Sequence, residues 1–414
     1  MVINLNTKKS TLWTPNFTII TLGTIISAIG GVAVNFSFSF VVLDNTQSTL
    51  LAGIFLAISM IPGTLLPILI SPYLDHFKRK PIIVGIDAFN GILYLAFGVY
   101  LMVNKYNFLS FTLFSLVTGS TGTIYQLAYT SFYPNLIPEG YAQKGYTVSS
   151  MIYPTVMIVM NPVASLLYKN FGMGWVCMIE GVLLLCASLM ETQIKVKEMV
   201  SHKGHFSLKE YCKDLSEGIR YLKKEKGLQR IYSYMPITQG ISQGSGNLIK
   251  AYFMTTPGLG ITLYSIFTIA EFIGRTIGGI IHYRVEIKAQ KRFRFAFLVY
   301  QMYSFMDMIL LWIGYPFMLL NRSICGFLGI NSATLRESSV QNYIPDDKRA
   351  KLNAVFQATF SLSGMLFSVI IGGLGEIVSY RMAIVIMSLI NMSLCYFIMY
   401  RGREKVKEIY NHIY

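Results

Sequence analysis

The chain has 414 residues, of which 53% are hydrophobic and 13% charged, with a mean hydropathy of +0.50. Soluble chains carry about 25% charged residues, and a soluble fold could not keep this much apolar surface from water. That excludes disordered chains, disulfide scaffolds and most soluble enzymes. A net charge of +15 would point to nucleic acid on a soluble protein. Here the basic residues gather at the ends of apolar runs, as in cytoplasmic loops, so no nucleic-acid partner is expected.

Apolar runs fall near 16–40, 50–70, 81–103, 108–130, 146–168 and 173–192, then near 229–248, 260–282, 293–314, 317–339, 352–374 and 380–400. Each is close to the roughly 20 residues that span a bilayer as a helix. The longest polar stretch, 193–228, divides them. The expected organisation is a six-helix bundle over 1–192, a cytoplasmic linker over 193–228, and a second six-helix bundle over 229–414 with a short tail. The start, MVINLNTKKS, is polar and offers no cleaved signal, so the first run would serve as a retained anchor. The linker carries a capping box, Ser207 and Glu210. Leu208, Tyr211, Cys212, Leu215, Ile219 and Leu222 follow on one helical face, opposite Lys209, Lys213, Lys223 and Lys224. The pattern predicts an amphipathic helix that lies on the cytoplasmic leaflet or caps the bundles.

Basic residues set the orientation. Lys78, Arg79 and Lys80 follow the second run, Lys144 follows the fourth, and the linker is rich in lysine and arginine. Arg284, Lys288, Lys291, Arg292 and Arg294 follow the eighth, and Lys348, Arg349 and Lys351 the tenth. With Lys8, Lys9 and the basic tail these loops fall on one side, which predicts both termini in the cytoplasm of a multi-pass cell-membrane protein.

The halves repeat. NLIPEGYAQKGYTV from Asn135 and NYIPDDKRAKLNAV from Asn342 stand half the chain apart, each after the fourth run of its half. A duplicated bundle with parallel repeats follows. The segment SPYLDHFKRKPIIV at 71–84 resembles the G-x-L-A-D-R-x-G-R-K loop of the major facilitator superfamily. Asp75, Arg79 and Lys80 take the matching positions, while Ser71, His76 and Lys78 depart from it. The resemblance implies an all-α membrane fold of twelve transmembrane helices in two six-helix bundles. It also implies a latch in which Asp75 and the basic pair hold the halves on the cytoplasmic side, with Asp87 near this gate. VLDNTQS at 42–48, DHFKRKPIIVGIDAFNG at 75–91, NLIPE at 135–139 and EGIRYLKKEKGL at 217–228 look like the macrolide-efflux and siderophore-exporter branch. Two departures stand out. Thr118 occupies the place of an arginine common in the fourth helix of proton-coupled exporters, and of their fifth-helix GPxxGG run only Pro162 remains.

Charged groups inside apolar runs cost about 2.5–3.5 kcal/mol on insertion scales and call for a role. Glu271 and Arg275 stand four apart on the eighth run, on one face, and can pair. Glu271 could take a proton when substrate or a helix shift removes Arg275; the pair could equally be static. Asp307 and Glu180, on runs the resemblance makes peripheral, are further coupling candidates or packing charges. Gln239, Gln243 and Asn247, at i, i+4 and i+8 on the seventh run, predict a cavity lining or interhelical bonds, with Asn35, Tyr125 and Arg322 as further cavity candidates. Gly274 and Gly278 form a G-x-x-x-G packing motif. The five cysteines, Cys177, Cys186, Cys212, Cys325 and Cys395, have no CxxC or metal spacing. No metal, cofactor, HExxH, GxSxG or GxxxxGK[ST] is expected, so neither an enzyme nor direct ATP drive is. The resulting expectation is proton-coupled export of an amphipathic small molecule (a drug, macrolide or siderophore-like compound) by a functional monomer among membrane lipids. The alternatives are a lipid or lysophospholipid flippase, and a non-transporting sensor or assembly partner.

Overall fold

The computed structural model describes residues 11–74, 77–139, 141–196, 208–284 and 287–411. They are almost entirely helical: α1 Pro15–Thr46, α2 Thr49–Leu74, α3 Arg79–Val103, α4 Phe108–Phe132 and α5 Ala142–Glu191, then α6 Leu208–Lys224, α7 Lys226–Thr255 and α8 Ile261–Arg284. They continue with α9 Arg292–Leu310, α10 Tyr315–Tyr343, α11 Asp346–Ile377, α12 Tyr380–Cys395 and α13 Arg403–Tyr410. In hydrocarbon every backbone polar group must be satisfied within the chain, which leaves helices as the answer for spans like these. Among the described residues, seven helices are long and apolar enough to cross a membrane.

The fifth and sixth apolar runs form one continuous element, α5, broken only at Gly172, whose φ of 79° and ψ of 175° lie outside the helical range. That backbone is essentially closed to residues with a Cβ. No separate loop stands between the arms 142–171 and 173–191, because one residue of positive φ makes the kink that joins them. Most other spans match the sequence expectation with longer ends, as where α1 runs on to Thr46 and α11 starts at Asp346, but α9 stops at Leu310, short of the expected 314, and α12 passes into a π-helical turn after Cys395. Side chains fix some starts, as where Asn107 accepts from Ser110 N and Ser379 from Met382 N.

Two compact units emerge: Met1–Phe38 with Leu65–Phe206, and Ser39–Thr64 with Ser207–Tyr414. In the first, α3 packs against the second arm of α5. Gly91 faces Gly181 O and Leu185, Gly98 faces Gly174 O, and Ser188 Oγ donates to Val84 O at 2.9 Å. In the second, α8 packs on α10 and α7 on α11. The end of α1 and the start of α2 belong here too. Gly53 lies against Ser368 O, Thr49 Oγ1 donates to Gly372 O at 2.7 Å, and Phe40 meets Tyr264 edge to face. The repeated segments adopt matching backbone. Ile137 (φ −87°, ψ 124°) and Ile344 (φ −76°, ψ 127°) each close the element ahead of a proline with an extended residue.

Of the two predicted placements of the linker helix, the structure takes the one against the bundle. Leu222 is buried with Leu228, Ile231 and Val355, Gly218 faces Val355, and Glu217 pairs with Lys351. Ile219, assigned to the apolar face, is exposed instead. It stands beyond the strip that α11 covers. The Ser207 cap lies outside the described residues. The short basic tail forms α13, which buries Val406, Ile409 and Tyr410 against α7 and α9, with Gly227 admitting the Lys405 backbone. Its i, i+3, i+4 apolar spacing is short and hidden among charges.

Candidate functional site

The packing of α8 on α10 builds the site. Gly274, first glycine of the G-x-x-x-G pair, lies directly against Ser323 O, and Gly326 lies against Glu271 O. A Cβ at either position would overlap the opposite backbone. Ser323 Oγ donates to Ala270 O at 2.9 Å, and Gly278 faces Phe327 O at the next turn. Without side chains between them, the backbones come close enough for charged groups on the two helices to meet.

They meet as a four-membered ion network. Arg275 Nη2 donates to Glu271 Oε1 at 2.8 Å, as the i, i+4 spacing predicts. The other Glu271 oxygen accepts from Arg322 Nε at 3.0 Å, and Arg322 Nη1 donates to Asp307 Oδ1 at 2.8 Å. Two guanidiniums and two carboxylates balance to zero formal charge. The Arg322 guanidinium also lies over the Phe267 and Tyr303 rings, 5.4 and 5.9 Å from their centroids, where a delocalised cation is favoured. The network is graded: side-chain exposure is 11% for Arg322, 16% for Asp307, 21% for Glu271 and 51% for Arg275. Arg275 is thus the member free to exchange its partner for water or ligand, and Arg322 is the fixed anchor.

Sequence reasoning found the Glu271–Arg275 pair but placed Arg322 in a cavity and Asp307 apart. The structure joins all four. The rings of Phe267 and Tyr303 were not singled out, and the only sequence signal for them is their place one turn from Glu271 and Asp307. The amide stripe on α7 divides. Gln239 is exposed, Gln243 Nε2 points at Met60 Sδ (3.4 Å) beside Gly364, and Asn247 is buried with its amide nitrogen unpartnered. Asn35 is exposed and donates to Gly31 O, and Tyr125 stacks on Tyr129. Of the cytoplasmic gate, Asp75 lies outside the described residues. Arg79 is buried, Lys80 Nζ donates to Thr192 O at 2.7 Å, and Asp87 is buried in the first unit with Glu180. Cys177, Cys325 and Cys395 are buried, whereas Cys186 is exposed.

Apolar spans, a duplicated loop motif and a balanced ion network between the helices mark a multi-pass membrane protein. The family model for the Major Facilitator Superfamily matches residues 20–306, and the chain belongs to that superfamily. Its fold comprises twelve membrane helices in two six-helix bundles, the fold of secondary transporters. The structure is similar to that of the nucleoside transporter NupG (TM-score 0.67, 12% identity, 93% of this chain and 98% of that one). It is also similar to a POT family transporter in complex with a thioalcohol-conjugated peptide (0.65, 12%, 94% and 96%). A third is a bacterial homologue of the iron transporter ferroportin, in an inward-facing state (0.66, 14%, 92% and 98%). At these identities the likeness is one of fold. No curated protein matches the sequence.

Proposed function

We propose that this secondary transporter exports an amphipathic small molecule of the drug, macrolide or siderophore kind in exchange for protons. It would act as a monomer in the cell membrane, with both termini in the cytoplasm. The observation that carries the reading is the sharing of Glu271 between a buried arginine and a half-exposed one. When a proton arrives on Glu271 its hold on Arg275 is lost, while Arg322 keeps Asp307, so one protonation frees one guanidinium without dismantling the site. A freed Arg275 can then meet an anionic or polar group of the substrate. Asp75, Arg79 and Lys80 would latch the cytoplasmic side. The exporter-like segments in the first half support the substrate class.

The test uses everted vesicles holding the full chain, a pH gradient, and three probes: a macrolide, a catecholate siderophore and a fluorescent lysophospholipid. Gradient-driven uptake of the macrolide or siderophore is expected, and Glu271→Gln should lower it at least tenfold while exchange of labelled for unlabelled probe persists. Full gradient-driven uptake in Glu271→Gln makes the network structural. Movement of the lysophospholipid alone makes the protein a lipid flippase, and transport of none points to a sensor.

A further inference from the structure

The first unit holds a second set of intramembrane acids. Asp87 on α3 and Glu180 and Glu191 on α5 are 3%, 4% and 0% exposed. Asp87 Oδ2, Glu180 Oε2 and both Glu191 oxygens lack a hydrogen-bond partner. Among the described residues no lysine or arginine pairs with any of the three.

Their positions are ordered. Glu180 and Glu191 are eleven residues apart, which is close to three full turns and about 16 Å along one helix face. Asp87 falls between them in height. Val84, three residues before it, is bonded by Ser188, and Gly91, four after it, lies on Gly181 and Leu185. Asp87 is in electrostatic reach of both glutamates. The opposing helix is cut to fit. On α1, Gly30 lies directly against Glu180 Oε2, and Gly23 lies against Glu191, with a Cβ there falling 3.1 Å from Oε1. Ser27, between these glycines, faces Asp87. From α4 the Tyr125 hydroxyl faces Asp87 and Glu191. The Ser27 and Tyr125 hydroxyls are themselves buried, so the ladder alternates carboxyl groups with hydroxyls that can both donate and accept.

Among the described residues, uncharged side chains also face the ladder: Thr24 and Tyr129, which are bonded to each other at 3.1 Å, and Tyr94 and Cys177 near Glu180. Lys80 is spent on Thr192 O, the residue after Glu191. An ionised carboxylate left unpaired in such a place is costly. We propose that Glu180, Ser27, Asp87, Tyr125 and Glu191 form a proton wire through the first unit, opening at the Glu191 end of α5 beside Lys80. A transfer along it balances simply. A carboxylic acid gives its proton to a hydroxyl oxygen as that hydroxyl passes its own to the next carboxylate. One O–H bond forms for each one broken, and the net change is one proton moved.

The test is infrared spectroscopy of the purified full chain. The carbonyl stretch of protonated carboxylic acids should be present at neutral pH. Asp87→Asn, Glu180→Gln and Glu191→Gln should each remove one component. On transfer to heavy water the Glu180 component should shift, and Asp87→Asn should slow that shift at least tenfold while the Glu191 component exchanges as before. Should Asp87→Asn not fold, Ser27→Ala carries the same expectation at Glu180, and Tyr125→Phe should slow exchange from Asp87 outward. Absence of a protonated-carboxyl band, unchanged exchange at Glu180, or loss of the band on adding sodium ions (which would make the cluster a metal-cation site) overturns the wire. The readout needs no transported probe, so its failure is distinct from that of the Glu271 test.

Discussion

Arg322 anchors the ion network of the second unit. It donates to Glu271 and to Asp307 and stacks on two rings. Arg322→Ala leaves Asp307 without its partner, and breaking a buried pair costs about 3–5 kcal/mol. A clear fall in thermal unfolding temperature in detergent is therefore expected, and adding Asp307→Asn should recover part of it, as coupled neighbours do. Arg322→Lys should not rescue fully, because an ammonium cannot reach both carboxylates with a planar fork. An unchanged melting curve for Arg322→Ala would mean the network adds nothing to folding. The residue scale also marks how far sequence could see. Glu271 and Arg275 share one helix, and their spacing alone announced them. Arg322 and Asp307 are on other helices, and only the backbone approach at Gly274 and Gly326 brings them in. Glu191 was missed because it ends an apolar run, where a charge reads as interfacial, and nothing local shows that α1 covers it.

At the scale of elements, glycine decides which helices touch closely. The α8–α10 crossing has Gly274 against Ser323 and Gly326 against Glu271, whereas Gly279 on α8 has open space around its Cβ direction. Gly326→Ala must push the helices apart, which costs about 1–3 kcal/mol for an overpacked site and stretches the Arg322–Glu271 bond. It should lower both thermal stability and gradient-driven uptake. Gly279→Ala, on the same crossing helix but facing nothing, should leave uptake intact and be neutral or slightly stabilising through its helix propensity. If the two behave alike, close approach is not what assembles the site. The spans themselves were legible, because twenty apolar residues announce a membrane helix whatever they pack against. The junction inside α5 was not, since a single residue at Gly172 replaces a loop, and α13 was not, since its three buried residues gain their meaning only from α7 and α9.

At the scale of the molecule, α1 and α2 each pass from one compact unit to the other, near residues 38–39 and 64–65. A transporter that changes state must either bend these helices there or detach their connecting hairpin from α11. Beside the apolar packing of Phe40 and the close approach at Gly53, the hairpin is held by polar bonds that water can replace. Glu376 Oε1 accepts from Ser48 Oγ at 2.8 Å and from Leu50 N at 3.1 Å, so a carboxylate from α11 caps the start of α2, and Ser48 in turn accepts from Leu51 N. Carboxylates suit a helix N-terminus, whose first N–H groups lack partners. Detachment is therefore the expected route, and Glu376 should set its equilibrium. Removing such a cap costs roughly 0.5–2 kcal/mol, which converts to about a two- to thirtyfold rise in the detached population. The reporter is Ala52→Cys, a position 4% exposed, in a chain whose exposed Cys186 is replaced by serine. In the proposed orientation a membrane-impermeant thiol reagent added outside should label it slowly in the parent and faster by that factor with Glu376→Ala, while Glu376→Gln, which keeps an acceptor oxygen but no charge, should fall between. Equal labelling in all three chains would mean that the hairpin stays on α11 through the cycle and that the bending happens within α1 and α2, where Pro62 and Gly63 adjoin the boundary.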